Sequence, residues 1–230
     1  LTNNNNNNDI EKIYITASGG PFLNYSKKKM SSIKPINAIN HPRWSMGKKI
    51  SVDSSTMLNK VFEVIEAQRI FNVSLKKFEI LIHPRSYLHS IIKFKNGISK
   101  LLVHDTDMKI PIFNSIYEKR KINTDQLNIN NLNNLNLKKP NINQFKCLRF
   151  LDLFDNKISL YETVLISAND ELVNNFLCGN IKYLDIYKNL KKILNFSEFK
   201  KLRRIKPKNL QQILSLNKYV RLKTNYLCIK

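Results

Sequence analysis

Short runs of apolar residues divide the first half of the chain. Ile13 to Thr16 (IYIT) is a β-rich run that ends in Ala17-Ser18-Gly19-Gly20-Pro21, a strand leading into a glycine-permitted loop. Ile50-Ser51-Val52 reads as a second brief strand. Asp53, Ser54, Ser55 and Thr56 follow it as N-cap candidates for a helix from about Met57 to Phe71, where Leu58, Val61, Phe62 and Ile65 recur at three-to-four spacing. Phe78 to Ile82 suits a buried strand. Ile91 to Lys95 and Ile98 to Val103 flank Asn96-Gly97, which predicts a hairpin with a type I′ turn. Ile110 to Tyr117 fits a short helix.

The second half follows a different pattern. Asn123 to Asn143 is rich in Asn and Leu and reads as a linker, part of which could form a strand. Beyond it, helical periodicity marks Cys147–Phe154, Leu160–Leu177, Leu184–Phe196 and Pro207–Leu227, with Pro207 as the first residue of the last helix. The expected class is α+β: a mixed sheet with flanking helices, followed by an all-helical unit. The corresponding division is 1–11 as a low-complexity edge, 12–122 as the α+β unit, 123–146 as linker and 147–230 as the helical unit.

Composition narrows the function classes. No run approaches the ~20 apolar residues of a membrane span. The opening, Leu1-Thr2 and then Asn3 to Asn8, lacks the apolar core and basic flank of a secretory signal. It reads as the edge of a longer chain or a linker. Cys147, Cys178 and Cys228 are scattered and odd in number, which favours reduced thiols in an intracellular setting over a disulfide framework or zinc site. A net charge of +22, from 39 Lys+Arg against 17 Asp+Glu, permits nucleic-acid binding. The basic residues form no single stripe interleaved with aromatics, so compositional drift explains them better.

Candidate chemistry gathers on Asp53 to Glu66. A helix starting near Ser54 would present free N–H groups, hydroxyls and Lys60 to a phosphate, and Asn59, Lys60 and Glu63 can share a face. An ordinary capped helix with a surface Lys–Glu pair has the same spacing. Ser18-Gly19-Gly20-Pro21 could form an anion-binding nest. Trp44, in a loop with His41, Met46 and Gly47, could close over a ligand or simply anchor the loop. His83 and His89 flank a strand connection and suit structural roles as well as catalytic ones.

In this order, SGGPF, HPRWSMGKKISVDSSTMLNK, EVIEAQ, EILIHPRSYLHS and DMKIPI resemble the central domain of the 1-deoxy-D-xylulose 5-phosphate reductoisomerase family. The likeness is dense from Ile15 to about Ile112 and continues weakly through Cys147-Leu148 and Ser167 to Glu171. It implies conversion of 1-deoxy-D-xylulose 5-phosphate to 2-C-methyl-D-erythritol 4-phosphate in the non-mevalonate isoprenoid route, with NADPH and a divalent metal (Mg²⁺, Mn²⁺ or Co²⁺). It also implies a homodimer in a bacterial cytoplasm or plastid-like organelle. By match to the motif, Ser18, Ser54, Asn59 and Lys60 would hold the substrate phosphate, and His41 would contact substrate. Glu63 would contact substrate and ligate metal. His41, Lys60 and Glu63 would be the catalytic set. Trp44 and Met46 would lie on the flap, Gly47 on the nicotinamide side, and His89 behind the site.

The sequence departs from the family pattern in what it lacks. It has no glycine-rich dinucleotide fingerprint and no upstream D-S-E segment carrying two further metal ligands. The expectation is therefore an incomplete sequence or one of two associating halves, inactive alone. Val61, Thr106, Arg43 and Asp170 are smaller departures, consistent with drift. The alternatives are a basic nucleic-acid-binding module and a decayed dimerisation remnant.

Overall fold

The computed structural model describes residues 9–40, 46–117, 120–124 and 126–228. Its sheet has four strands: β1 (Ile10–Ala17), β2 (Phe78–Ile82), β3 (Leu88–Phe94) and β4 (Ser99–Val103). They lie in the order β2-β1-β3-β4. β1 runs parallel to β2 and antiparallel to β3, and β3 is antiparallel to β4. The mixed α+β architecture is as the sequence predicts.

Four helices fill the crossover from β1 to β2: α1 (Lys27–Ser31), α2 (Pro35–Ile39), α3 (Lys48–Thr56) and α4 (Leu58–Phe71). After β4 come α5 (Lys109–Ile116) and α6 (Ile129–Asn133). The C-terminal helices are α7 (Tyr161–Leu177), α8 (Tyr183–Leu194), α9 (Ser197–Lys200) and α10 (Leu210–Cys228). One continuous apolar cluster joins the sheet to these helices, from Ile10 and Ile15 through Leu58 and Val61 to Leu165, Ile186 and Val220. Each such side chain contributes about 1.5–3 kcal/mol on burial.

Several local expectations are corrected. Ile50-Ser51-Val52 is helical, as the middle of α3. The hydroxyls of Ser51, Ser55 and Thr56 donate to the carbonyls of Gly47, Val52 and Asp53 at 3.1, 2.6 and 3.1 Å. This back-bonding lets Ser and Thr sit inside a buried helix. Asp53 to Thr56 therefore end α3; of the four, Thr56 also serves α4, its Oγ1 accepting from Leu58 N–H at 3.3 Å. Between the two helices, Met57 alone turns the chain, in the left-handed region at φ 60°.

The β3–β4 hairpin forms, but Asn96 is not at positive φ; Gly97 is, at 87°. Gly97 N–H donates to Phe94 O at 3.0 Å and Phe94 N–H to Ile98 O at 2.9 Å, which makes a three-residue loop rather than a type I′ turn. The Lys146–Leu153 segment is a 3₁₀ helix, not α. Pro207 lies before α10 and not on its first turn; Asn209 caps that helix, its Oδ1 accepting from Gln212 N–H at 2.9 Å. Part of the proposed linker is ordered against the sheet, where Lys138 and Ile82 exchange backbone hydrogen bonds of 2.7 and 3.0 Å.

Candidate phosphate-binding site

The site is built where β1 ends. The loop after β1 turns through Gly19 and Gly20, at φ 89° and 66°. A Cβ on Gly20 would lie 2.9 Å from Ser54 O and 3.0 Å from Ser55 Cα, so only glycine lets this loop rest on the end of α3. Ser18 Oγ accepts from Gly20 N–H at 3.2 Å, and Tyr183 of α8 donates its hydroxyl to Ser55 O at 2.8 Å. Ser18 and Ser54 thus belong to elements in direct contact, with the helical unit bracing them from behind.

α4 starts one residue after α3 and carries Asn59, Lys60 and Glu63 in its first two turns. Lys60 Nζ donates to both Glu63 oxygens, at 2.8 and 2.7 Å. Asn59 Nδ2 reaches Glu63 Oε1 at 3.5 Å, while Asn59 Oδ1 is buried with no partner. The shared face expected from spacing is present. The helix N-terminus is not where Ser54 lies, however, because Ser54 closes the preceding helix.

His89 on β3 stands close enough to Lys60 and His104 to feel both. Burial first, then those two charges, lower its pKa to about 4. Its ring centroid is 5.2 Å from that of His104. His104 Nδ1 lies 2.6 Å from Asp105 O, and its Nε2 is buried with no partner. His83 is buried beneath the 134–138 segment, its Nδ1 against Leu135 O; burial lowers its pKa as well.

Met46 is half-buried and Gly47 exposed at the entrance to α3, where Gly47 caps the helix. His41 and Trp44 lie outside the described residues. Among the described residues, no three His, Cys, Asp or Glu side chains are placed to hold a metal ion. Glu63 is the one carboxylate in hand, and Lys60 already occupies it. The described chain thus does not make up a metal site by itself, and it carries no dinucleotide fingerprint.

Sequence reading missed a second polar cluster beside the first. Asp53 is 2% exposed. Its Oδ2 lies 2.7 Å from Lys49 Nζ, and its Oδ1 accepts from Asn169 Nδ2 at 2.8 Å. Lys49 also pairs with Asp170 at 3.1 Å, and Asp170 with Arg221 at 2.6 Å. Burial pushes the Asp53 carboxyl up, opposed by Lys49 and Asn169. Burial tends to lower the Lys49 ammonium, but Asp53 and Asp170 outweigh it, so the net shift is upward. The network ties α3 to α7 and α10.

Two family profiles match the chain. One, described as the 1-deoxy-D-xylulose 5-phosphate reductoisomerase C-terminal domain, covers residues 1–71; the other, the DXP reductoisomerase C-terminal domain, covers residues 104–223. A 1-deoxy-D-xylulose 5-phosphate reductoisomerase of Pelagibacter ubique is 54% identical over 231 residues, spanning 100% of this chain and 60% of that protein. The Clostridium novyi enzyme of the same name is 37% identical over 94% of this chain and 56% of its own length. A crystal structure of DOX-P reductoisomerase with NADPH, fosmidomycin and magnesium superposes with a TM-score of 0.87 at 31% identity, over 96% of this chain and 55% of that one. The Zymomonas mobilis reductoisomerase in complex with NADPH gives 0.82 at 29% identity, over 98% and 57%. The chain spans about three-fifths or less of the relatives it matches.

Proposed function

The chain belongs to the 1-deoxy-D-xylulose 5-phosphate reductoisomerase family, and from that premise we propose that it supplies the phosphate-gripping part of such an enzyme. The observation that carries this reading is the Lys60–Glu63 arrangement. A nearly buried ammonium, its side chain 12% exposed, is held among the described residues by Glu63 alone, on the helix that starts one residue after α3. An incoming dianionic phosphate competes for Lys60 with a single exposed carboxylate, and Asn59 and Ser54 stand within the same few residues. Lys60 and Asn59 bind and orient, Ser18 and Ser54 supply hydroxyls, and His89, neutral at physiological pH, adds no competing positive charge. Gripping a remote phosphate fixes the carbon skeleton and turns binding energy into orientation.

We assign His41 as a further substrate contact, Trp44 and Met46 to the flap, and Gly47 to the nicotinamide side. With Lys60 engaged on the phosphate, Glu63 would be free to serve as one ligand of a divalent ion. The other ligands, and the NADPH site, would come from outside the described residues. The overall reaction proposed is the NADPH-dependent conversion of 1-deoxy-D-xylulose 5-phosphate to 2-C-methyl-D-erythritol 4-phosphate. The relatives reported above are bacterial, which favours a bacterial cytoplasm over a plastid-like compartment. A homodimer is proposed as the assembly: β4 is an edge strand with Leu101 46% exposed, a surface that suits a second copy.

The test is calorimetric titration of a phosphorylated sugar analogue into the chain. Lys60→Ala should weaken binding about tenfold or more, the worth of one charge-assisted phosphate contact. Unchanged affinity would exclude Lys60 from the site. Turnover is checked by adding a relative's nucleotide-binding portion in trans with NADPH and Mn²⁺; Glu63→Gln should abolish it and leave analogue binding intact.

A further inference from the structure

A second concentration of positive charge lies beyond the other end of α4. Arg69 sits nine residues after Lys60, about 14 Å along the helix. It hydrogen-bonds the Asp155 and Lys157 carbonyls and pairs with Glu162. It thereby fixes the 155–158 loop as one wall of a cleft of about 410 Å³, lined by Asn156, Lys157, Ile158, Arg203, Arg204 and Lys206. The opposite wall, 203–206, is held by Leu160 N–H donating to Ile205 O at 2.8 Å.

Four of the six lining residues are cations, none is an acid, and none of the four takes part in an ion pair among the described residues. The nearest carboxylates are engaged: Glu162 by Arg69 and Ser159, and Asp155 by the Lys157 N–H. Arg203 is the preorganised member. Its guanidinium stacks on the Tyr161 ring at 4.7 Å and donates to the Tyr161 hydroxyl at 3.2 Å, while its Nε is buried with no partner. A stacked, immobilised guanidinium binds a tetrahedral oxyanion at little further ordering cost. Ile158, 53% exposed, adds an apolar surface in the same cleft. Tyr161 is fully buried beneath Arg203, so it offers no open face on which bases could stack.

We propose that this cleft binds a phosphate group carried on a short apolar body, as a site separate from the Lys60 pocket. The probe is hexyl phosphate, titrated into the full chain and followed by calorimetry, with inorganic phosphate as reference. Hexyl phosphate should bind more tightly than inorganic phosphate. R204Q/K206Q, both on exposed side chains, should lower its affinity about tenfold or more. Ile158→Ser should remove only the advantage of the alkyl chain, and all titrations are run in a Lys60→Ala background so that the Lys60 pocket does not contribute. Circular dichroism confirms that each variant is folded. In that background, hexyl phosphate binding that is absent, or that survives R204Q/K206Q, overturns the proposal. So does a cleft that takes duplex DNA or phosphatidic acid vesicles but not hexyl phosphate.

Discussion

Successive helices carry two Lys–carboxylate pairs with opposite exposure. On α3 the carboxylate of Asp53 is buried, at 3% exposure, and its partner Lys49 is 40% exposed. On α4 the ammonium of Lys60 is buried, at 12%, and the carboxylate of Glu63 is 37% exposed. The first pair holds its buried acid with two donors, Lys49 and Asn169, so Lys49 cannot leave without stranding a buried carboxylate. The second holds its base with one acid that water already reaches. The same two residue types thus make a fixed strut in one place and a releasable contact in the other.

The comparison fails first if Lys49 proves dispensable. Lys49→Met strands the buried Asp53 carboxylate and should cost about 3 kcal/mol of stability in chemical denaturation, the scale for breaking a buried pair. Glu63→Gln should cost about 1 kcal/mol, because its amide oxygen still accepts from the Lys60 ammonium and water reaches that side of the pair. Equal losses would show that burial does not distinguish them.

Acidification probes the releasable pair's surroundings. His89 is held neutral, so its contribution is fully present above the unfolded value of 6.5 and is lost as pH falls towards about 4. The unfolded chain binds the proton that the fold refuses, and the loss should reach at most about 3 kcal/mol. A His89→Phe variant should flatten that slope in pH-dependent denaturation. A slope that persists unchanged assigns the acid sensitivity elsewhere.

A comparably small effect comes from the Tyr183 brace on the end of α3. Tyr183→Phe removes the hydrogen bond to Ser55 O and should cost about 1 kcal/mol. Analogue affinity should fall with it if the strut positions Ser54; stability loss alone would confine Tyr183 to packing.

The strands, the hairpin and α4 were legible because their apolar residues alternate or recur on one face. α3 was not. Ser51 to Thr56 are buried all round, so the segment has no polar side to set a period, and Ile50, Val52 and Thr56 are weak helix formers. Tertiary burial and hydroxyl back-bonding decide that segment, and neither is visible along the chain. Asn59, Lys60 and Glu63 were readable together because helical spacing alone aligns them. The partners of Asp53 were not, since Asn169 lies 116 residues away. His104, beside His89 across β3 and β4, was equally hidden.

The lone left-handed residue at Met57 sets a length constraint. With no slack between the two helices, one residue inserted there would swing Asn59 and Lys60 about 100° around the axis of α4 relative to Ser54. Natural variation at this joint should therefore change residue identity and never residue number.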